Sequence, residues 1–380
     1  MIYKLSDIFD LQMGKTPTRS DLSYWQNGSY DWISISDLNT DRKYISDTKE
    51  RITTKAVRES GIKKIPANTV IMSFKLSIGK TAITSHDMFS NEAIMAFIDR
   101  KVIRINPDYI YYLLHALDWN KRANKAVKGR TVNKKIISQT QVNIPDYQTQ
   151  LRIVKIMDST RKRVKIQKDI LSKLDTLIKA RFVEMFGDPV QNSLNKPMVK
   201  LESLGDWKSG GTPARSNPNF YDGNINWFSA GELDSLYLSK SKEKITDEAV
   251  RKSSTKLFAK GSMLIGMYDT AAFKMGILKE PSCANQACAN IRANEKVNVI
   301  WLYYELQAMK KYFLNQRHGV RQKNLTLKMI KQFEIPYFDL SLQNKFANFV
   351  QQVNKSKVAV QKSLEETQTL FASLMQKYFS

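Results

Sequence analysis

Two stretches of the chain carry apolar residues at alternating spacings of four and three, which places these side chains along one face of a helix. Between residues 153 and 185, seven of the ten positions at this spacing are apolar, and between 346 and 378 eight of ten are apolar or aromatic. The second set lies 193 residues after the first. Each stretch is therefore predicted to be one long helix. The apolar positions at the centre of the two seams are Val164, Leu171, Leu174, Ile178, Val360, Leu364, Phe371 and Leu374.

The two helices are expected to pair with each other within one chain as an antiparallel coiled coil, because an internal twofold makes the two copies of a duplicated segment run in opposite directions. The alternative is a coiled coil between two chains. Among the polar seam positions, Gln167 and Thr367 do not match each other between the copies. One hypothesis is that these positions fix the register at some cost in stability. The other is that both are simply half exposed.

The remaining sequence mixes short strand patterns with helix patterns. Strands are predicted at 31–36, 69–74 and 262–267, and helices at 108–123 and 299–313. Strands and helices mixed in this way favour an α+β fold over a doubly wound sheet. The expected architecture is two globular domains related by a pseudo-twofold and joined by the two long helices.

The globular part of the chain also occurs twice, with an offset between 191 and 196 residues. The matching segments are Gly14-Lys15-Thr16-Pro17 with Gly210-Gly211-Thr212-Pro213, Trp32 with Trp227, Asn91-Glu92-Ala93 with Asn285-Gln286-Ala287, and Tyr111-Tyr112 with Tyr303-Tyr304. A period this long indicates duplication of a domain and not a solenoid repeat. The predicted division is a globular domain at 1–146, a helical region at 147–196, a second globular domain at 197–338 and a second helical region at 339–380.

Composition points to a polyanionic partner. The chain has 60 basic and 36 acidic residues, a formal charge of +24, so nucleic acid is the first candidate partner and an anionic membrane surface the second. No run of about 18 apolar residues is present, and the N-terminus lacks the layout of a signal peptide. The two cysteines, Cys283 and Cys288, are predicted to be ordinary core thiols. A cytoplasmic location is expected.

Basic residues cluster at equivalent places in the two copies, each time around a glycine, Gly129 or Gly319. A basic loop of this kind can bring lysine and arginine to DNA phosphates and arginine to guanine edges, although a charge run is more often only a solvated face. The candidates for DNA contact are Lys125, Lys128, Arg130, Lys134, Lys135, Arg317, Arg321, Lys323 and Lys328, with Lys15, Arg19 and Arg215 as weaker ones.

No catalytic or metal site is predicted. The segment 74–81 ends in Gly-Lys-Thr but lacks the first glycine of a phosphate-binding loop, and the second copy has no counterpart. No dinucleotide-binding glycine motif and no amino-methyltransferase motif is present. The histidines, His86, His115 and His318, have no metal or triad partners at useful sequence spacing. A nuclease site made of scattered carboxylates stays open at this point.

In order and in duplicate, these segments resemble the specificity subunit of type I restriction–modification systems, over all 380 residues. The resemblance also rests on the Ile-Pro segments that lead into a helix with Gln150 or Gln343, and on Phe182-x-x-x-Phe186-Gly187-Asp188-Pro189. Glu92 departs from the glutamine that is commoner there, and Lys15 departs as well. Neither departure threatens the assignment, because target recognition domains diverge widely.

The resemblance implies a DNA-binding protein without catalytic activity. Each globular half would be a target recognition domain that reads one half of a bipartite, asymmetric DNA sequence, and the helices would set the spacing between half-sites. Two methyltransferase subunits would dock around the helices, and restriction subunits would join them. S-adenosylmethionine, ATP and Mg²⁺ would belong to those partners. The alternatives are the specificity part of a type IIB or IIG assembly, or a stand-alone DNA-modifying enzyme.

Overall fold

A computed structural model describes residues 1–39, 42–75, 77–122, 124–126, 129–315 and 324–379. They form two compact units: the first contains residues 1–168 and 362–380, and the second contains 169–361. The α-helices are α1 Leu5–Ile8, α2 Thr54–Glu59, α3 Pro107–Ala116, α4 Trp119–Arg122, α5 Lys134–Gln139, α6 Tyr147–Phe186, α7 Asp247–Lys252, α8 Val299–Asn315, α9 Leu327–Gln332 and α10 Leu340–Phe379. Both long helices, α6 and α10, are thus divided between the units.

The strands fall into two sets that follow each other along the chain. Those of the first unit are β1 Ile2–Lys4, β2 Phe9–Met13, β3 Tyr30–Ile33, β4 Tyr44–Ile45, β5 Glu50–Ile52, β6 Val70–Ser73, β7 Thr81–Thr84, β8 Phe89–Ser90, β9 Ile94–Asp99, β10 Asn124–Ala126, β11 Gly129–Thr131 and β12 Gln141–Asn143. Those of the second are β13 Met198–Lys200, β14 Gly205–Ser209, β15 Ile225–Phe228, β16 Tyr237–Leu238, β17 Glu243–Ile245, β18 Met263–Gly266, β19 Met275–Leu278, β20 Cys283–Ala284, β21 Cys288–Ala293 and β22 Glu334–Pro336.

The two units repeat one sheet topology. The first has a five-stranded sheet in the order β2-β9-β6-β7-β4, a three-stranded sheet β5-β3-β8 and a pair β1-β12. The second has β14-β21-β18-β19-β16, β17-β15-β20 and β13-β22, which is the same arrangement strand for strand. The hairpin β10-β11 belongs to the first unit, and the corresponding residues 316–323 lie outside the described part of the chain. The duplication seen in the sequence is therefore a duplication of fold, and the α+β prediction is confirmed.

The five-stranded sheet is buried on both faces, since every residue of β6 is buried. One face packs with α3 and the start of α6 in one core cluster, in which Met72 and Phe97 lie with Met157. The other face packs in a separate cluster that contains Ile71 and Ala96. Alternate residues of one strand thus enter different cores, as the strand period of two requires.

The predicted helix 108–123 is wrong in one respect, because the structure divides it into α3 and α4. Leu117 takes an extended conformation and ends α3. The indole Nε1 of Trp119 then donates a hydrogen bond to the carbonyl oxygen of Leu114 at 2.9 Å, with the ring buried. Burying this ring in the core favours the break over a continuous helix. The predicted strand 31–36 is also shorter than expected, because Asp37 accepts a hydrogen bond from the amide of Ser34 and turns the chain after β3.

The long helices pair within each unit. In the second unit, Phe182 and Phe186 of α6 lie against Phe346 near the start of α10, and Asp175, earlier in α6, is ion-paired with Lys357, later in α10. Residues that come later in one helix thus meet residues that come earlier in the other, so the pairing is antiparallel and intramolecular. In the first unit, α6 and α10 meet where Gln167 donates to Ser363 at 2.9 Å.

A buried glutamine fixes the start of each long helix. Gln150 accepts a hydrogen bond from the amide of Asn106 at 2.9 Å and donates to the carbonyl oxygen of Pro145 at 3.0 Å. Gln343 likewise accepts from the amide of Asn298 at 2.8 Å and donates to Phe338 at 2.7 Å. The glutamines of the Ile-Pro segments therefore join each helix to the loop before α3 or α8.

Candidate nucleic-acid interface

In the first unit, the Gly-x-Thr-Pro loop packs directly on the Asn-Glu-Ala loop. A Cβ atom on Gly14 would lie 2.1 Å from the carbonyl oxygen of Asn91, so only glycine fits there. The amide of Lys15 donates to the carbonyl oxygen of Ser90 at 2.8 Å, and the hydroxyl of Thr16 donates to a carboxylate oxygen, Oε2, of Glu92. The two motifs are thus two sides of one contact.

The second unit repeats this contact. A Cβ atom on Gly210 would lie 2.2 Å from the carbonyl oxygen of Asn285, and the amide of Gly211 donates to Ala284 at 2.9 Å. The hydroxyl of Thr212 donates to the amide oxygen Oε1 of Gln286. The segments that match between the copies therefore match because they build the same junction.

A buried tryptophan in each unit forms a hydrogen bond to the backbone of the Gly-x-Thr-Pro loop. The indole Nε1 of Trp32 donates to the carbonyl oxygen of Lys15 at 3.1 Å, and that of Trp227 donates to Gly211 at 3.0 Å. Both rings are almost fully buried. The tryptophans hold the Gly-x-Thr-Pro loops in place from the core.

The arginines beside these loops are already occupied by side chains of the protein. Arg19 forms a two-pronged ion pair with Glu50, and its guanidinium lies 3.9 Å from the ring centre of Trp25. Arg215 pairs with Glu243 at 2.6 and 2.8 Å, and lies 4.3 Å from the ring centre of Tyr221. The N–H donors of each guanidinium are bonded to a carboxylate, and its plane lies against an aromatic ring. Such a guanidinium has few donors left for a hydrogen bond to a base.

Two further segments join the junction in the first unit. The amide of Phe74 donates to the carbonyl oxygen of Ala93 at 3.0 Å, and the amide of Val132, just after the hairpin β10-β11, donates to Phe74 at 3.4 Å. We call residues 14–19, 74–75 and 91–93 with this hairpin the loop face of the first unit.

The second unit has an equivalent loop face. The amide of Met267 donates to the carbonyl oxygen of Ala287 at 2.8 Å, and the amide of Leu325 donates to Met267 at 2.8 Å. The described residues of this loop face are 210–215, 267–268, 285–287 and 324–325. In both units, the basic segment of the sequence therefore leads directly onto the loop face.

The candidate residues for DNA contact differ in how much of each is described and in whether the side chain is exposed. Lys15, Lys134, Lys135 and Lys328 are exposed. Lys135 and Lys328 occupy equivalent positions, each two residues after the capping residue of α5 or α9. Lys125 and Arg130 are partners across the hairpin β10-β11, whose backbone alone is described. Lys128, Arg317, Arg321 and Lys323 lie outside the described residues.

Residues of the loop faces that sequence reasoning missed include Lys75 and Tyr268. They follow Phe74 and Met267, at matched positions in the two units, and Tyr268 is 40% exposed. Neither belongs to a charge run, so only the backbone contacts of the folded chain bring them to the basic segments.

The eight residues predicted for the helix seam all lie at buried or half-buried positions, with Ile178 and Leu364 the most buried of them. The polar residues Gln167 and Thr367 contact each other, since the amide Nε2 of Gln167 donates to Thr367 at 3.2 Å as well as to Ser363. The side-chain oxygen of Gln167 is buried and has no hydrogen-bond partner among the described residues.

A cleft lies beside the paired tyrosines in each unit. In the first unit, a cleft of about 420 Å³ is lined by Tyr111 and Tyr112 together with Val164 of α6 and Phe371 of α10. In the second, a cleft of about 700 Å³ is lined by Tyr303, Tyr304, Asp175 of α6 and Lys357 of α10. Each cleft thus combines a globular domain with both long helices at matched positions, but with different charges.

One histidine has a partner that the sequence did not indicate. His86 Nε2 lies 2.9 Å from Asp31, and His86 Nδ1 lies 3.1 Å from the hydroxyl of Ser85. The fold thus brings His86 to Asp31, although the two residues lie 55 positions apart in the chain. The hydroxyl of Ser85 donates to the carbonyl oxygen of Ile45 at 2.7 Å, so its proton is directed away from the histidine.

The neighbours of Asp31 stabilise its ionised form. Burial raises the pKa of Asp31, but hydrogen bonds from His86 and Thr48 and the charge of Arg51 outweigh burial and lower it. In the second unit, the equivalent residue is Asn226, which bonds to Ser239 and Ser241 instead. The contact around Asp31 thus has a neutral counterpart in the other unit, which is typical of a structural polar contact.

The other residues that could carry out chemistry lie in the core or in a hairpin. Both cysteines are buried, and burial raises the pKa of Cys283 to about 11 and that of Cys288 to about 12. The Gly-Lys-Thr segment lies in the turn between antiparallel strands β6 and β7 and not between a strand and a helix. Among the described residues, no group of three His, Cys, Asp or Glu could hold a metal ion. No helix in the described part of the chain has the length and apolar character to cross a membrane.

Comparison with known proteins identifies one family. A family model for the type I restriction modification DNA specificity domain matches residues 1–176 and again residues 195–368. The specificity subunit of the type I restriction enzyme MjaIX from Methanocaldococcus jannaschii is 24% identical over 284 residues, which cover 69% of this chain and 65% of that subunit. The match thus spans slightly less than two thirds of the relative's length.

Two solved structures share the fold over the whole chain. The type I restriction–modification S subunit from M. genitalium superposes with a TM-score of 0.62 at 13% identity and covers 100% of this chain and 96% of its own. A chain from a study of complex assembly and conformational transition in the type I system gives a TM-score of 0.65 at 16% identity, with 100% and 97% covered. At these identities the likeness shows the fold.

Proposed function

The chain belongs to the type I restriction–modification DNA specificity family, and we propose that it is the DNA-recognition subunit of a type I complex, without catalytic activity of its own. The observation that carries the proposal is the pair of loop faces. Each unit brings the same motif junction together with a basic segment, on the same sheet topology. DNA phosphates would bind the basic segments, and base edges would be read by side chains of the loop faces.

The target is proposed to be bipartite and asymmetric. The two loop faces share their backbone contacts, but they differ in side chains: Lys75 corresponds to Tyr268, and Glu92 corresponds to Gln286. Two copies of one frame with different reading residues select two different half-sites, whereas identical faces would select a repeated one.

The long helices are proposed to set the spacing between half-sites and to dock the partners. Both α6 and α10 contribute residues to both units, so the length of the helices would fix the length of DNA that is skipped. The clefts beside Tyr111 and Tyr303 occur once per unit, which suits two copies of one partner. We propose that these are two methyltransferase subunits, joined by restriction subunits.

Cofactors are proposed to belong to the partners. Methyl transfer needs S-adenosylmethionine, and restriction needs ATP and Mg²⁺; we assign all three to the methyltransferase and restriction subunits. A cytoplasmic location follows from the proposed substrate, since the target DNA and the partners are there.

Methyl transfer tests this division of labour. The purified chain, mixed with DNA and labelled S-adenosylmethionine, is expected to transfer no label. Addition of a methyltransferase subunit of the same system is expected to produce transfer at one bipartite sequence. Labelling of DNA by the chain alone would contradict the proposal and favour a stand-alone enzyme.

A further inference from the structure

Glu92 and Gln286 occupy the same place on the two loop faces but differ by one atom. Both are exposed side chains, and each accepts a hydrogen bond from the threonine of its Gly-x-Thr-Pro loop. The threonine uses Oε2 of Glu92 and Oε1 of Gln286. The remaining atoms are Oε1 of the carboxylate in the first unit and the amino group Nε2 of the amide in the second. In the described part of the chain, neither atom bonds to the side chain of another residue, and the carboxylate of Glu92 also accepts a hydrogen bond from its own backbone amide.

The threonine therefore decides which kind of group each side chain can still offer. A carboxylate has only acceptors, so Glu92 offers an acceptor. An amide has one acceptor oxygen and two donor protons, and because Thr212 already donates to that oxygen, the atom of Gln286 without a partner is the donor Nε2. The two loop faces thus have opposite hydrogen-bonding character at one matched position.

We propose that Glu92 and Gln286 are specificity-determining residues that select opposite base edges in the two half-sites. In the major groove, Glu92 requires an exocyclic amino group, that of cytosine N4 or adenine N6. Gln286 requires an acceptor, which guanine offers at O6 and N7, thymine at O4 and adenine at N7. Adenine therefore suits both residues, whereas cytosine suits only Glu92 and guanine and thymine suit only Gln286. This inference rests on the proposed function, since it names the residues by which a DNA-reading surface distinguishes bases.

Electrostatics keep Glu92 in the form that the proposal needs. The hydrogen bond from Thr16 lowers the pKa of Glu92 more than burial raises it, and the charges of Lys75 and Arg19 lower it further. The side chain is thus an anion on a basic surface. An anion repels phosphate, so a role of Glu92 in binding the DNA backbone is disfavoured, whereas acceptance of a hydrogen bond from a base amino group is not.

An exchange of the two residues tests the proposal. The variants are Glu92→Gln and Gln286→Glu, assembled with the methyltransferase subunit and used to select DNA from a library randomised in both half-sites. Glu92→Gln is expected to fold, because the second unit already holds glutamine against threonine in the same geometry. Equal melting temperatures of variant and wild type confirm that condition.

The expected result is a change at one position of one half-site. Glu92→Gln should change the preference between cytosine, which offers only a donor, and guanine or thymine, which offer only acceptors, by about tenfold or more in favour of guanine or thymine, the discrimination expected of one base contact. The half-site read by the second unit should stay unchanged, and Gln286→Glu should do the reverse.

Two outcomes overturn the inference. One is that both variants select the wild-type sequences, and the other is that affinity changes by the same factor for every sequence, which would show a contact to the DNA backbone. A wild-type assembly that selects no sequence at all would instead contradict the proposed function.

Discussion

Glu305 is a carboxylic acid in the core of the second unit. Its side chain is fully buried in α8, and neither carboxyl oxygen has a hydrogen-bond partner among the described residues. Burial raises the pKa of Glu305 to about 8, and no charged group adds to the shift. In the first unit the equivalent residue is Leu113, which is also buried. The second unit thus carries an acid that the fold tolerates in its protonated form.

Stability of the second unit should therefore fall as the pH rises. The folded state holds the proton of Glu305 at pH values where the unfolded chain has lost it, so the free energy of unfolding decreases from about pH 5 up to about pH 8, the raised pKa of Glu305, and levels off above it. Replacement Glu305→Leu removes this dependence and raises the melting temperature. Thermal unfolding of both proteins between pH 5 and 9 gives the difference curve, and a difference that does not vary with pH would contradict the account.

Lys135 and Lys328 provide a test of the basic segments. Both are exposed at matched positions next to the loop faces, so Lys135→Ala and Lys328→Ala should weaken binding of all DNA sequences equally. Each lost phosphate contact should also reduce the slope of log affinity against log salt by about 0.9. Binding isotherms at several salt concentrations measure both effects.

Lys101→Ala is the matched control for the lysine variants. Lys101 is exposed and follows the end of β9, whereas the Asn-Glu-Ala loop precedes its start, so the two lie at opposite ends of that strand. This variant should leave the salt slope unchanged. If it lowers the slope as much as Lys135→Ala does, the charge of the chain acts as a whole and the basic segments have no special role.

At the residue scale, the sequence identified the repeated motifs, but it identified neither the contact between them nor the partners of the charged groups. Gly14 and Thr16 stand out because they recur in order with Gly210 and Thr212. The engagement of Arg19 could not be inferred, since Glu50 lies 31 residues away and pairs through the folded sheet. The sequence shows where basic side chains cluster, but only the folded structure shows which of them are paired with carboxylates.

At the element scale, the polar seam contact offers a second stability test. Gln167 and Thr367 bond to each other between α6 and α10, but the buried oxygen of Gln167 is left without a partner. The double variant Gln167→Leu with Thr367→Val should raise the melting temperature, because apolar contacts replace a partly satisfied polar pair. The single variant Thr367→Val is the control and should not stabilise the protein. A double variant that melts at the wild-type temperature would contradict this reading.

The same double variant should loosen the register of the helix pair. Spin labels on cysteines that replace the exposed residues Lys165 and Glu366 would report the distance between α6 and α10, while Cys283 and Cys288 stay buried. The expected result is a broader distance distribution than in the protein with Gln167 and Thr367. An equally narrow distribution would mean that apolar packing alone fixes the register.

Elements with a clear local pattern were predictable, both the long helix seams and short strands such as 69–74, whereas the partners of a strand and the interruption of a helix were not. The seams of α6 and α10 extend over many turns, so their period stands out from the background. Strand β6 is buried on both faces and pairs with β9, which follows later in the chain, and such pairing leaves no local pattern. The interruption at Leu117 was missed for a similar reason, because it depends on the burial of Trp119 in the tertiary core.

At the scale of the whole molecule, duplication accounts for what the two units share and divergence for what they do not. The sheet order, the motif junctions and the helix-starting glutamines are common to both. The hydrogen-bonding character at Glu92 and Gln286, the contact around Asp31 and the charge of the clefts differ. A duplicated frame with separate reading surfaces allows each half-site to change without refolding the other half.

The spacing role of the helices can be tested by lengthening both of them. Insertion of seven residues after Lys168 in α6 and after Gln361 in α10 adds one heptad to each helix at the boundary between the units and keeps the seam in phase. Seven residues add about 10 Å of helix, which is about three base pairs of DNA. The loop faces are untouched by the insertion.

The methylation pattern of a host that carries this lengthened chain with its partner subunits is the most direct measurement. Both half-site sequences are expected to stay as they are in the wild type, while the gap between them grows by up to about three base pairs. Altered half-sites with an unchanged gap would contradict this expectation, because the helices would then not set the spacing between two separate readers.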